Sequence, residues 1–124
     1  MLTRMQYDIL LAASRDLTLL LAEMQGEEEL FASPNTLAHV EARLLTFAQT
    51  LVHLPEALRQ RLLQVDWHGW NCLLRLLETD LQPRRAEVWY GTQALVPATL
   101  QLIAALRTRE PIWFETAYRD QGHL

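Results

Sequence analysis

Two stretches of this chain repeat apolar residues in strict alternating steps of three and four. Leu10, Ala13, Leu17, Leu20 and Met24 form the first line, and Leu37, Val40, Leu44, Phe47 and Leu51 the second. A helix of 3.6 residues per turn puts each line on one face, so both segments read as amphipathic helices. No stretch sustains the two-residue alternation of a half-buried strand. The first helix is expected over about 6–24. Gly26 and Glu27–Glu29 then read as a turn.

The second helix has the sharpest start. Ser33 can accept a backbone N–H bond as N-cap, and Pro34 suits the first helical position, where its missing donor costs nothing. Leu54-Pro55 ends that helix and opens a short third one over 56–63. Asp66 is expected to cap a fourth helix whose buried stripe is Trp70, Leu74, Leu77 and Leu81, with Pro83 as its stop. A fifth helix starts near Arg85 and carries Val88, Leu95, Ile103 and Leu106. Pro97 lies inside it, and a kink or a split into two helices is expected there. Short connections between such helices favour antiparallel neighbours. The predicted fold is all-α, an up-and-down bundle of four to five helices over residues 1–110. Residues 111–124, with Trp113, Phe114 and Tyr118 among charges, read as a docking tail.

The chain's 124 residues allow one core, and its net charge of −4 argues against broad nucleic-acid binding. Its single cysteine, Cys72, excludes an internal disulfide and any multi-cysteine metal site. Asp8, Arg15 and Asp16 interrupt any secretory apolar segment, and no run is long enough to span a membrane. A reducing cytoplasm is the expected setting.

Motifs for phosphate loops, zinc-dependent hydrolysis and serine nucleophiles are missing, so no cofactor or metal is expected. His39 and His53 share roughly one helix face, yet a rise of ~1.5 Å per residue separates them by about 21 Å, too far for one ion. His68 falls in the first turn of its helix, as a packing partner for nearby tryptophans. Cys72 is expected between helices. Arg84 and Arg85 stand at a helix start, against the macrodipole. That placement suits holding a phosphate or carboxylate, although solvation or pairing with Glu78, Asp80 or Glu87 would also satisfy them. Trp67, Trp70, Trp89 and Tyr90 gather near the junction of the fourth and fifth helices. They form either core, a stacking platform for a base, or an interface anchor.

Three segments carry a family resemblance. Phe31-Ala32-Ser33-Pro34-Asn35-Thr36 with Val40 and Leu44 resembles one signature. Leu54-Pro55-Glu56-Ala57-Leu58-Arg59 followed by Val65-Asp66-Trp67 resembles a second, and Val88-Trp89 followed by Leu95-Val96-Pro97-Ala98-Thr99-Leu100 a third. In this order they resemble the HepT-like branch of the HEPN superfamily over about residues 5–107. Members of that branch are toxin ribonucleases paired with a minimal nucleotidyltransferase antitoxin.

The resemblance implies an Arg, four residues, a His, one residue and a Tyr in the helix after the tryptophan. Counted from Trp67, those positions fall on Leu74, Thr79 and Leu81. Shifted by one, they fall on Arg75, Asp80 and Gln82. Neither register holds His or Tyr. Metal-independent RNA cleavage needs a base for the ribose 2′-hydroxyl and a group to stabilise phosphorane charge. Histidine suits the first task, and a carboxylate is a weak base near neutrality. Pairing Arg61 with His68 instead places the two groups across the helix start rather than on one face. The motif tyrosine, the antitoxin's usual adenylylation target, is also missing, and Tyr90 does not stand in its place.

The resemblance therefore implies a catalytically degenerate HepT-like protein that acts by protein binding in a toxin–antitoxin-like system. It would form a homodimer through the helix of the former site, bind a nucleotidyltransferase, or both. The alternative is a divergent metal-independent ribonuclease toxin that binds RNA and uses Arg75 and Asp80, with Arg84 and Arg85 on phosphate.

Overall fold

The first apolar line builds α1, Leu2–Ala22, and the second builds α3, Pro34–Val52. The computed structural model describes residues 2–115, and every regular element among them is helical. Leu10, Ala13 and Leu17 of α1 bury against Val40, Leu44, Phe47 and Leu51 of α3. Leu20, Met24 and Leu37 are half-buried at the margin. The pair runs antiparallel. Gln6 Nε2 donates to the His53 carbonyl at 2.9 Å, while Arg43 meets Asp16 at 3.4 Å further along.

The segment between these helices is not a plain turn. Glu27–Phe31 forms a short helix, α2, which buries Leu30. Three glutamates in its first turn face the positive end of the helix dipole, a favourable placement. Ser33 stands before Pro34 at the α3 N-terminus, yet its side chain makes no cap bond there. Its hydroxyl donates backward to the Glu29 carbonyl at 2.8 Å and closes α2 instead. The nearby α2 carbonyls compete for the same hydroxyl.

α4, Glu56–Arg59, is shorter than the spacing predicts and buries Leu58. α5, Trp67–Glu78, has the expected cap: Asp66 Oδ1 accepts the Gly69 N–H at 2.9 Å. Its buried face is Trp70 and Leu73, with Leu74 and Leu77 half-buried. The helix stops short of Pro83, because Thr79 is its C-cap and Asp80 takes a left-handed φ of 51°. Leu81 consequently leaves the expected stripe and stands 44% exposed.

The last long segment is one interrupted rod. α6, Arg85–Tyr90, passes into a π-helical turn, Gly91–Leu95, and then α7, Val96–Arg109. Here Val96 N–H donates five residues back to the Gly91 carbonyl. The widened turn comes immediately before Pro97, which has no N–H and would crowd the preceding turn of a regular helix. It divides the segment into two α-helices, the second of the two outcomes expected at Pro97. Val88, Leu95, Ile103 and Leu106 are all buried, as the spacing predicts.

At Gly91 this rod packs tightly against the bundle. A Cβ there would lie 2.8 Å from Leu73 Cδ2 and 3.4 Å from Leu44 Cδ2. Gly91→Ala gains about 1 kcal/mol in helix propensity but overpacks a filled core at a cost of about 1–3 kcal/mol. A net loss near 1 kcal/mol in urea unfolding is expected, and a stabilised variant would contradict this packing.

The chain then turns back over α1. The 3-10 turn Pro111–Phe114 buries Phe114 edge-on against Tyr7, with ring centroids 5.2 Å apart. The start of the predicted tail therefore docks; residues 116–124 lie outside the described residues. Arg61 and the Trp113 indole N–H both bind Glu110 and hold its carboxyl well below the usual range, at about 2. A carboxyl depressed from 4.5 to about 2 contributes its stability fully above pH 4.5 and loses it as pH falls toward 2. Melting of wild type and Glu110→Gln should therefore differ near neutrality and converge across that window. A constant difference down to pH 2 would contradict the anchor.

Candidate functional site

The helix that the resemblance singles out is α5, and its end decides what chemistry is available. Leu74 packs half-buried against the core. The Thr79 hydroxyl donates to the Arg75 carbonyl at 2.5 Å, the usual backward bond of a helical threonine. Leu81 lies beyond the helix, bonded through its N–H to the Leu76 carbonyl at 3.0 Å. These three positions hold no group that titrates near neutrality.

The shifted register offers more polarity. Arg75 is exposed and, among the described residues, has no ion-pair partner. Asp80 is not available in the same way, because its Oδ1 accepts from Arg84 Nη1 at 2.6 Å. Asp tolerates the left-handed region better than most residues, and the Arg84 bond secures it there.

Arg84 is the centre of this corner. Its side chain is only 10% exposed and forks onto Glu41 of α3, Nε to Oε2 at 2.9 Å and Nη2 to Oε1 at 2.8 Å. Nη1 serves Asp80 and also reaches the Leu81 carbonyl at 3.4 Å. The hydrogen bonds to Glu41, opposed by burial and reinforced by Asp80, hold the guanidinium proton more tightly than in a free arginine. A phosphate would have to displace Glu41 to use this fork. Arg85 turns the other way, to Glu27 at 3.2 Å, and lies 4.8 Å over the Phe31 ring. The two arginines thus clamp the start of α6 to α3 and α2. Two carboxylates offset their unfavourable position at the helix start.

Glu41 is the residue that sequence reasoning misses. Its only signal is an acidic side chain next to the buried Val40, at the edge of the α3 stripe. Its partner stands 43 residues away.

The aromatic concentration does not form one platform. Trp70 is fully buried and stacks on Phe47, centroids 4.9 Å apart and planes 16° from parallel. Its indole N–H donates to Thr99 Oγ1 at 2.9 Å. The Trp67 indole donates to the Leu62 carbonyl at 2.9 Å. Trp89 lines a groove with Leu21 and Met24, and the Tyr90 hydroxyl donates to Asp66 Oδ2 at 3.1 Å. That bond and the negative charge push the exposed Tyr90 hydroxyl up from its ordinary pKa. The rings bind four separate neighbourhoods, so stacking a base on the set has no common surface.

Cys72 is exposed rather than packed between helices. His68 lies one turn before it, also exposed, with Nε2 3.6 Å from Sγ. Both residues stand on the outward face because the inward one belongs to Trp70 and Leu73. Arg61 reaches Glu110, not His68. His39 and His53 remain apart on α3, and His53 Nδ1 contacts the Gln49 carbonyl at 2.6 Å. Among the described residues no three potential ligands converge on a metal position, and no helix is long and apolar enough to cross a membrane. Comparison of the chain with protein-family models, with curated proteins and with solved structures finds no match.

Proposed function

We propose that this chain is a catalytically degenerate HepT-like bundle that works by binding protein in a toxin–antitoxin-like system, as a homodimer, with a nucleotidyltransferase partner, or both. One observation carries the degenerate part of this reading. The ionised groups that follow α5 neutralise one another: Arg84 is buried and forked onto Glu41, and Asp80 is tied to the same guanidinium. A base needs a free lone pair, and a phosphate clamp needs a free N–H fork. The sequence resemblance supplies the system. The exposed positions where it expects His and Tyr hold Thr79 and Leu81.

A divergent ribonuclease is the second reading. What favours it is Arg75, exposed and, among the described residues, without an ion-pair partner, on one outward line of α5 with His68. Purified protein incubated with total tRNA in EDTA distinguishes the two. The binding reading expects intact tRNA after prolonged incubation. Cleavage that Arg75→Ala or His68→Ala abolishes would establish the ribonuclease instead.

A further inference from the structure

Besides its core-facing stripe, α1 carries a second one. Met5, Ile9, Ala12, Asp16 and Leu19 follow steps of four and three, and all five are exposed. Met5 is 55%, Ile9 42% and Leu19 71% exposed, so three large apolar side chains line one outward face. Steps of three and four are the spacing of the seam between two paired helices. The line lies about a third of a turn from Leu10, Ala13 and Leu17, at 100° per residue. The core therefore leaves it uncovered.

The outward face of α5 has a different character. His68, Asn71, Cys72, Arg75 and Glu78 are exposed there, and a polar row of this kind offers no apolar seam. The larger exposed apolar line is therefore the one on α1.

Charge along the α1 stripe selects the partner. Asp8 and Arg15 stand seven residues apart on one flank. Arg15 makes no ion pair among the described residues, and Asp8 reaches only Arg4, at 4.0 Å with both side chains more than half exposed. Two copies of α1 laid antiparallel, Ile9 of each over Ala12 of the other, put each Asp8 beside the other copy's Arg15. A parallel pair would put like charges at the same level. Ala12 at the crossing lets the backbones approach. The same register carries Met5 of the second copy to Asp16, at a shallow dent of about 250 Å³ that Leu19, Leu20, His39 and Arg43 also line. An unbranched thioether fills irregular gaps of this kind.

We infer that α1 is a self-association face, occupied by α1 of a second copy in antiparallel orientation, with Met5, Ile9, Ala12 and Leu19 in the seam and reciprocal Asp8–Arg15 ion pairs on its flank. This rests on the reading that the chain works by association, and it names the surface and the partner. One helix pair is a small interface, so the dimer is a weak one that forms at micromolar concentration.

Sedimentation equilibrium of the full chain over about 1–500 µM tests the face. The expected result is a monomer–dimer equilibrium that Ile9→Glu abolishes. Asp8→Arg and Arg15→Glu each weaken it about tenfold at low salt, and the two combined restore it. These side chains are exposed, and unchanged thermal melting confirms that each variant folds. A chain that stays monomeric throughout, as it would if a different protein covered this face, overturns the inference. So does a dimer indifferent to Ile9→Glu and to the charge reversals. A monomeric chain removes the homodimer arm of the binding reading and leaves its nucleotidyltransferase arm, whereas loss of the degenerate reading is read separately, from tRNA cleavage.

Discussion

Trp70→Ala should cost about 4 kcal/mol of folding free energy, the largest single loss expected in this chain. Trp70 is fully buried, stacks on Phe47 and ties α5 to α7 through Thr99. Removing the ring leaves a cavity where α3, α5 and α7 meet, and it leaves the Thr99 hydroxyl without its donor. Small domains have only about 5–15 kcal/mol in total, so the variant should melt roughly 15 °C lower or fold incompletely. Trp70→Phe separates the two contributions. It keeps a ring against Phe47 and loses the hydrogen bond, at about 1–2 kcal/mol beyond its smaller volume. Thr99→Val in that background should return part of the loss, because the orphaned hydroxyl goes with it. A Trp70→Ala protein that unfolds in urea within 1 kcal/mol of wild type would show that the three helices do not meet as described.

Arg84→Ala comes next, at about 3 kcal/mol. The guanidinium is 10% exposed and Glu41 19% exposed, so both are largely removed from water. Deleting one member of such a pair leaves the other charge buried without compensation, which costs about 3–5 kcal/mol in comparable settings. The loss falls toward the lower end because Asp80, the second partner, is 83% exposed and is resolvated at little cost. Replacing both Arg84 and Glu41 with methionine should cost less than Arg84→Ala alone, since no charge is stranded. Equal or greater loss in the double variant would contradict the assignment of this corner to folding. It would favour a ligand site held open at the expense of stability.

The helices with long apolar lines were legible because periodicity alone specifies them. α1, α3 and the rod from Arg85 bury most of the residues their spacing picks out, with Leu20, Met24 and Leu37 half-buried at the margin, and Asp66 caps α5 as an aspartate before an apolar run should. The departures share a cause: a local pattern that a non-local contact overrides. Leu81 continues the spacing of Trp70, Leu74 and Leu77, so the sequence extends the helix through it. Thr79 and Asp80 end the helix first, and the Arg84 bond holds Asp80 in its left-handed turn. Ser33 has the composition of a cap and closes the preceding helix instead. α2 shows only one buried residue, Leu30, too few to reveal a period.

The candidate site was legible in one respect. Two arginines at a helix start signal a strained placement that something must satisfy. Asp80, four residues before Arg84, is a partner that the sequence names, but the main ones, Glu41 from α3 and Glu27 from α2, stand 43 and 58 positions away. No local pattern announces pairs of that separation. The outward position of Cys72 and His68 follows from which face of α5 the core takes. At 100° per residue both residues lie opposite the expected stripe of Trp70, Leu74 and Leu77, so that stripe already turns them outward.

The central proposal is that α5 is retained as a folding element and no longer carries the reactive groups of a ribonuclease. Its most direct test is induced expression in a bacterial host with tRNA integrity read by sequencing of RNA ends. The account predicts normal growth and no new tRNA termini, for the wild type and for Arg75→Ala alike. Growth arrest accompanied by defined tRNA fragments, both relieved by Arg75→Ala, would contradict it and establish that the helix still cuts RNA.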